Sequence, residues 1–195
     1  YNLDDVDLPG EGKKDLDNRP WWHKASLESE PNLADPQLKF FRAKLSRSVD
    51  QTEKQLREMT ANYFGMISLI DHNVGRIMLE LKRLGLDKNT IIVYSTDHGD
   101  LLGDHGLYLK GPTPYEGLLR VGLIVNGPGI PNNQIIKDPV STLDIPATIC
   151  DIAGANLPEL AQSKSLMPII CNNASRDVAH SEWKVNASRC GVELE

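Results

Sequence analysis

Asp97, His98 and Lys110 are the residues of this sequence whose types and spacing point most directly to chemistry. Asp97 and His98 are adjacent, and Lys110 stands thirteen residues after Asp97 at the end of a glycine-rich run. A carboxylate beside an imidazole suits a divalent cation. A metal ion and a lysine together form a pocket that neutralises the negative charge on a transferring sulfuryl or phosphoryl group. We therefore interpret Asp97 and His98 as metal ligands and Lys110 as an anion contact.

Two protein ligands do not complete a metal site. Calcium takes about six to eight ligands and catalytic zinc about three protein ligands, so further ligands must come from elsewhere in the fold. Three more polar residues, Asp100, Asp104 and His105, share the same run. We expect them to brace the loop by hydrogen bonds rather than to bind the ion. Glu116 and Arg120, four residues apart, are expected to form a structural ion pair rather than a catalytic one.

A long helix and a buried strand must position this run. Apolar residues recur at steps of three and four over residues 50–84, which places them on one helical face. Asp50 followed by Glu53 predicts a capping box at its start, and Gly85 predicts its end. Residues 91–96 show no polar alternation, which predicts a strand buried on both faces. The apolar stripe is expected to cover a sheet, and it comprises Leu56, Met59, Tyr63, Met66, Ile70, Val74, Ile77, Leu81 and Leu84.

Shorter elements follow the helix and the strand. Residues 97–117 contain five glycines and two prolines, and loops of this length in compact domains are often functional. Pro146 suits the first turn of a helix that Gly154 closes. The predicted elements, in chain order, are a strand over 120–125, a helix over 141–153, a short helix over 166–170 and a strand near 178–183.

The first fifty residues read as an irregular N-terminal arm. Prolines at positions 9, 20, 31 and 36 interrupt a polar stretch, which argues for an extended connection. Trp21 and Trp22 are its strong apolar anchors, and residues 39–49 favour a short helix. The arm is followed by an α/β domain over residues 51–175, and residues 176–195 are interpreted as the start of a truncated C-terminal sub-domain.

Composition excludes some classes of partner. The chain has 195 residues and a formal net charge of −6, so nucleic acid is not expected to bind, because a phosphate backbone requires clustered Lys and Arg. No apolar run approaches the roughly 20 residues of a membrane span. Three cysteines cannot all pair, which weakly favours a reducing compartment. The sequence leaves the cytoplasm and the periplasm open as locations. The sequence does not begin with Met, and it ends in Leu194-Glu195, which can be an expression-vector scar, so both of its ends are interpreted as cuts.

The segment from about Tyr63 to Ser181 resembles the C-terminal half of the sulfatase catalytic domain, in the alkaline-phosphatase-like superfamily. This segment covers more than half of the chain, and within it seven pieces follow one another in the order that this family shows. They are Ile70-Asp-His-Asn-Val-Gly75, Thr90-Ile-Ile-Val-Tyr-Ser-Thr-Asp-His-Gly-Asp100, Gly103-Asp-His-Gly106, Lys110-Gly111, Tyr115-Glu-Gly-Leu-Leu-Arg-Val-Gly-Leu-Ile-Val125, Gly127-Pro-Gly129 and Thr142-Leu-Asp-Ile-Pro-Ala-Thr-Ile-Cys-Asp-Ile-Ala-Gly154. The resemblance implies an α/β sandwich whose sheet is mostly parallel and flanked by helices.

The resemblance also implies roles for the three residues named first. Asp97 and His98 match the pair that ligates the active-site divalent metal, calcium in most sulfatases, and Lys110 matches the lysine that contacts the sulfate. The family's nucleophile is a formylglycine made within a Cys/Ser-x-Pro/Ala-x-Arg motif, and no such motif occurs in these 195 residues. The formylglycine is therefore expected outside this chain, and the chain alone is expected to be inactive.

Three hypotheses about the function stay open at this point. The first is a fragment of a sulfatase that hydrolyses small-molecule or saccharide sulfate esters. The second is a fragment of a phosphonate monoester or phosphodiester hydrolase of the same superfamily, whose members also carry an Asp-His pair. The third is a non-catalytic binding module. Any fragment would expose strand edges and apolar faces, so the isolated chain is expected to self-associate.

Overall fold

The computed structural model describes residues 1–10, 17–19, 51–110 and 113–181. Its helices are α1 (Glu53–Arg83), α2 (Glu116–Leu119), α3 (Ile145–Ala153) and α4 (Met167–Ile170), and its strands are β1 (Ile92–Ser95) and β2 (Leu123–Asn126). The described residues divide into two compact units. The loop unit comprises the described residues within 1–76 and 98–120, and the sheet unit comprises those within 77–97 and 121–181. The domain boundaries expected at residues 50 and 175 stay predictions.

Helix α1 forms where the apolar periodicity predicts it, and both of its ends are capped. The Gln55 N–H donates to Thr52 Oγ1 at 3.3 Å while the Thr52 N–H donates to Gln55 Oε1 at 2.9 Å, which is a reciprocal capping box. The box therefore belongs to Thr52 and Gln55. The pair expected from sequence includes Asp50, which lies outside the described residues. Gly85 ends the helix with a φ of 69°, and the Leu86 N–H donates to the Leu81 carbonyl at 2.9 Å.

In the loop unit, the first ten residues lie along the first half of α1. Arg57 donates from Nη1 to the carbonyls of Leu3 and Val6, at 3.3 and 2.5 Å, and Val6 is among the most buried side chains of the described part. The Tyr1 ring meets Phe64 edge to face at a centroid distance of 5.5 Å. This start of the arm is thus attached to α1 by packing and by one guanidinium. The predicted helix over 39–49 and the anchors Trp21 and Trp22 lie outside the described residues.

In the sheet unit, β1 and β2 form an antiparallel pair with Tyr94 opposite Ile124 and Val93 opposite Val125. Leu123 and Val125 pack against a core of Leu166, Ile169 and Ile170, which α4 and the residue before it provide. The alternating residue Ile124 and its partner Tyr94 lie on the other face and are exposed. The described ranges contain no parallel strand pair. The sequence predicts that β1 is buried on both faces. This prediction is wrong, because Tyr94 on its outer face is exposed.

Helix α3 and the segment after it are held by buried polar contacts. Asp144 is buried and accepts from the Lys164 N–H, from the Ser141 N–H and from the Arg176 guanidinium. Thr148 Oγ1 accepts from the Leu166 N–H at 2.9 Å. Pro146 lies in the first turn and Gly154 closes the helix with a φ of 64°, as the sequence predicts. Residues 178–181 are not in a strand, and the rest of the strand predicted near 178–183 lies outside the described residues.

Two further findings concern the class of protein. The described helices and strands agree with the predicted α/β class, with helices and a small sheet in one chain. Among the described residues, no helix combines the length and the apolarity needed to cross a bilayer.

Candidate functional site

The glycine-rich run folds as a closed loop between His98 and Lys110. The Leu101 N–H donates to the Leu109 carbonyl at 3.0 Å, and the Gly103 N–H donates to the Leu107 carbonyl at 2.8 Å. A 3-10 turn over Asp104–Gly106 reverses the chain between them. Because these bonds join the outgoing segment of the loop to its returning segment, the two ends of the loop lie close together.

His98 and Lys110 are in contact at this closure. Lys110 Nζ lies 2.8 Å from His98 Nε2, and His98 Nδ1 lies 2.8 Å from the Gly99 carbonyl oxygen. A carbonyl only accepts, so these partners assign the ring proton to Nδ1 and leave the lone pair on Nε2, where the ammonium donates. The structure thus brings together two of the three residues singled out from sequence. It presents an imidazole nitrogen and a cation side by side at the end of one loop.

Gly99 lets the chain pass close to the start of α2. A Cβ atom built on Gly99 would lie 1.9 Å from the Gly117 carbonyl oxygen and 3.3 Å from Leu118 Cα. The Gly99 N–H also donates to the Leu118 carbonyl at 3.0 Å. Since His98 immediately precedes this crossing, the missing side chain of Gly99 decides where His98 is held.

A small apolar core within the loop unit holds the loop in place. Leu101, Leu107 and Leu118 are buried together, with Tyr115 packed against them. The His105 ring stacks on Tyr115 with centroids 3.9 Å apart and an interplanar angle of 25°. Tyr108 is also buried, and burial raises the pKa of its phenol. The loop is therefore a packed element rather than a solvated excursion.

The acidic residues of the loop act in line with the bracing role expected for them. Asp100 Oδ1 accepts from the Leu102 N–H at 2.8 Å, which closes a tight local turn. Asp104 Oδ2 lies 3.6 Å from His105 Nε2. Glu116 and Arg120 form the expected ion pair at 3.8 Å, and because both side chains are more than four-fifths exposed this pair contributes little to stability.

Asp97 ends the first segment of the sheet unit, directly after β1 and Thr96. Its Oδ1 accepts from the Thr96 hydroxyl at 3.3 Å. Within the described ranges, no group of three or more His, Cys, Asp or Glu side chains is arranged to hold a metal ion. The metal-ligand roles of Asp97 and His98 stay predictions, as does the sulfate contact of Lys110.

Three non-glycine residues of the loop adopt left-handed backbone conformations that the sequence did not indicate. They are Leu102, His105 and Leu109, with φ of 44°, 53° and 60°. Leu seldom adopts this region, because its Cβ approaches the following backbone. No residue-type signal marks Leu102 or Leu109. The only hint was the density of glycines around them, which indicates a chain that turns often.

Comparison with known proteins gives one consistent family. The Sulfatase family model matches residues 29–155. Arylsulfatase K of Canis lupus familiaris is 39% identical over 118 residues, which are 60% of this chain and 22% of that protein. The phosphonate monoester hydrolase SpPMH from Silicibacter pomeroyi superimposes with a TM-score of 0.74 over 92% of this chain and 34% of its own, at 23% identity. The phosphonate monoester hydrolase of Agrobacterium radiobacter gives a TM-score of 0.61 over 65% of this chain and 25% of its own, at 30% identity.

The chain belongs to the sulfatase family, since the family model matches well over half of its residues. The resemblance drawn from the motifs and the α/β, alkaline-phosphatase-like fold class are thereby confirmed. The chain is similar to sulfatase-type hydrolases and spans about a quarter of the length of the curated relatives it matches, for example 22% and 28%.

Proposed function

We propose that this chain provides part of the metal site and the sulfate-contacting lysine of a sulfatase that hydrolyses small-molecule or saccharide sulfate esters. The observation that carries the proposal is the contact between Lys110 Nζ and His98 Nε2 at 2.8 Å. It places a positive charge and an imidazole together at the end of a packed loop. An ammonium at this position stabilises the negative charge that develops on sulfate oxygens when the ester bond breaks.

Asp97 and His98 are proposed as two ligands of a divalent metal, calcium being the first candidate. His98 Nδ1 is anchored on the Gly99 carbonyl, which leaves the ring's lone pair on Nε2. That lone pair accepts from Lys110 in this structure, so Lys110 has to leave Nε2 before a metal binds there. The remaining ligands must come from other groups. When bound, the metal supplies positive charge that polarises the sulfate group. Lys110, released from His98 Nε2, binds the same anion.

Calorimetric titration with calcium and with manganese tests the metal role. We expect Asp97→Asn and His98→Gln to weaken binding at least about tenfold, since each removes a ligand. Lys110→Ala should keep metal binding and lose sulfate binding. Lys82→Ala is the control, because Lys82 is an exposed lysine at the end of α1. Equal metal affinity in the wild-type chain and in both ligand variants would refute the site.

The isolated chain is proposed to be inactive towards sulfate esters. Its sequence lacks the Cys/Ser-x-Pro/Ala-x-Arg motif from which the formylglycine nucleophile is made, and binding groups alone do not supply a nucleophile. Incubation with 4-nitrophenyl sulfate, with and without calcium, should release no nitrophenol above the buffer rate. Metal-dependent turnover that is lost in Lys110→Ala would contradict the proposed inactivity.

A phosphonate monoester or phosphodiester hydrolase is the second candidate. It is favoured by one observation, the 30% identity to the phosphonate monoester hydrolase of Agrobacterium radiobacter. The same lysine and metal pair would serve either anion, since both are tetrahedral and negatively charged. Assays of the complete enzyme on aryl sulfate, phenylphosphonate monoester and phosphodiester substrates separate the two. Metal and anion binding without turnover on any of them would favour a binding module instead.

A further inference from the structure

We infer that Leu109 is a positioning residue: its left-handed backbone turns Lys110 out of the loop core and onto His98. The inference rests on the function proposed for Lys110 and adds the device that aims this lysine. Leu109 touches neither metal nor substrate in this account, and it acts only through the residue that follows it.

The argument begins with the two neighbours of Leu109. Tyr108 is buried with 6% of its surface exposed, and Lys110 is exposed. In an extended strand, residues two apart point to the same side. A regular strand through this segment would therefore direct Lys110 to the side where Tyr108 is buried. Leu109 breaks the alternation with a φ of 60°, and the lysine lies against His98 Nε2 instead.

The backbone on both sides of Leu109 is held, so its conformation is imposed rather than free. Its carbonyl accepts from the Leu101 N–H at 3.0 Å. The preceding Tyr108 ring lies against the position where Gly103 lacks a side chain, 3.6 Å from a Cβ built there. A non-glycine residue in this region is disfavoured and persists only where the surroundings over-determine it. Such residues concentrate at functional sites, and here the site residue is the next in the chain.

Leu102 provides a matched control within the same loop. It is also a leucine with positive φ, at 44°, and it stands seven residues before Leu109. Replacement by valine disfavours the left-handed region at either position, because a β-branched side chain seldom adopts positive φ. The two variants Leu109→Val and Leu102→Val should therefore have similar unfolding midpoints, while only Leu109→Val should release Lys110.

The experiment is a nuclear Overhauser measurement on the full chain, selectively labelled at His and Lys. The cross-peak between the His98 ring protons and the Lys110 Cε protons is expected in the wild-type chain and in Leu102→Val, and its loss is expected in Leu109→Val. Leu109→Gly and Leu109→Asn should retain it, because Gly and Asn tolerate the left-handed region. No cross-peak in the wild type, an unchanged peak in Leu109→Val, or equal loss in Leu102→Val would each overturn the inference.

A second arm separates this inference from the proposed function. The Lys110 Cε signal is followed during titration with sodium sulfate, with sodium chloride at equal ionic strength as the reference. We expect sulfate to shift the wild-type signal and to bind Leu109→Val about tenfold more weakly, the effect of losing one charged hydrogen bond. If sulfate shifts nothing in the wild type, the anion role of Lys110 is wrong, and the cross-peak still decides whether Leu109 positions it.

Discussion

The His98 imidazole uses its two nitrogens for different purposes. Nδ1 bonds to the carbonyl of the next residue, and Nε2 receives Lys110. An anchored ring costs little to orient when a ligand arrives, because its side-chain entropy is already spent in the fold. This is why a histidine at the base of a packed loop suits a metal-and-anion site better than one on an open surface.

Gly99→Ala is expected to disrupt the loop closure. The added Cβ would overlap the Gly117 carbonyl, so the segments that contain Gly99 and Gly117 must separate. His98 must then move with Gly99. We expect a loss of at least about 2 kcal/mol in unfolding free energy, the range of an overpacked core, together with loss of the His98–Lys110 contact. Chemical denaturation and the cross-peak measure the two effects.

Gly122→Ala is the control for this substitution, since a Cβ on Gly122 meets nothing within 4 Å. It should leave both the unfolding free energy and the contact nearly unchanged. If Gly99→Ala behaved like Gly122→Ala, the close approach at Gly99 would not be what places His98.

Asp144 makes the sheet unit sensitive to acid. Burial acts to raise the pKa of its carboxyl, but hydrogen bonds from Arg176 and from the Lys164 and Ser141 N–H groups outweigh burial and lower the pKa below its ordinary value. A lowered folded-state pKa stabilises the protein above the unfolded-state pKa of about 3.9. That contribution is lost as the pH falls below the unfolded-state pKa and through the lower folded-state pKa.

Asp144→Asn should therefore flatten the acid limb of the stability curve. At neutral pH the variant should lose about 3 kcal/mol, because Arg176 is left without its charged partner. Amide hydrogen exchange at Lys164, measured across the acid range, follows the sheet unit directly. The control is Asp87→Asn on an exposed turn. A wild-type acid limb as flat as that of Asp144→Asn would show that the carboxyl does not carry the effect.

Most features of helix α1 follow from its own sequence. Its period, its glycine stop and its basic last turn are all sequence-local, and the helix runs within three residues of the predicted bounds. Its observed capping box is formed by Thr52 and Gln55. The pair predicted from sequence begins at Asp50, which lies outside the described residues, so that pair stays a prediction.

Thr52→Ala tests this cap. Loss of the hydroxyl leaves the Gln55 N–H without its side-chain acceptor, and we expect a cost of about 1 kcal/mol. Thr52→Ser keeps the oxygen and should be nearly neutral. Faster hydrogen exchange at Gln55 in the alanine variant alone is the expected result, and equal exchange in both variants would mean that the cap is not formed in solution.

The antiparallel pair β1–β2 shows that the sequence of a strand predicts its position but not its burial. The run over 91–96 correctly indicates a strand, and the residues before Asn126 indicate the second one. Burial on both faces was inferred from the lack of polar alternation, yet Tyr94 and Ile124 are exposed. The composition of a strand indicates which of its faces require burial. Whether those faces are buried depends on which other elements are present to cover them.

The described part of the chain leaves many large apolar side chains exposed. They lie along α1, directly after it and on the outer face of the sheet, and they are Met66, Ile67, Leu69, Ile70, Ile77, Met78, Leu79, Leu84, Tyr94 and Ile124. In the described part of the chain, no third strand pairs with β1 or β2. Open edges and apolar faces of this kind favour association. Self-association therefore stays a prediction for the isolated chain.

Light scattering as a function of concentration tests the role of the outer sheet face. Ile124→Lys places a charge on that face and should shift the chain towards monomer. The control is Leu160→Lys, which changes a residue that is 94% exposed outside any helix or strand. A monomeric wild type at high concentration, or equal effects of the two variants, would count against the sheet face as the contact.

The sequence by itself determined the family, the α/β class, the approximate extent of α1 and the end of α3 at Gly154, because these depend on residue type, periodicity and short motifs. It also points to Asp97, His98 and Lys110 as site residues, and their roles stay predictions. Tertiary structure alone decided that the loop closes with Lys110 on His98, that Gly99 is held by contact with Gly117, and that Leu109 adopts a left-handed backbone. The reason is physical. Periodicity records which side a residue faces within its own element, whereas close approach and imposed backbone conformations arise from contacts with residues distant in the chain.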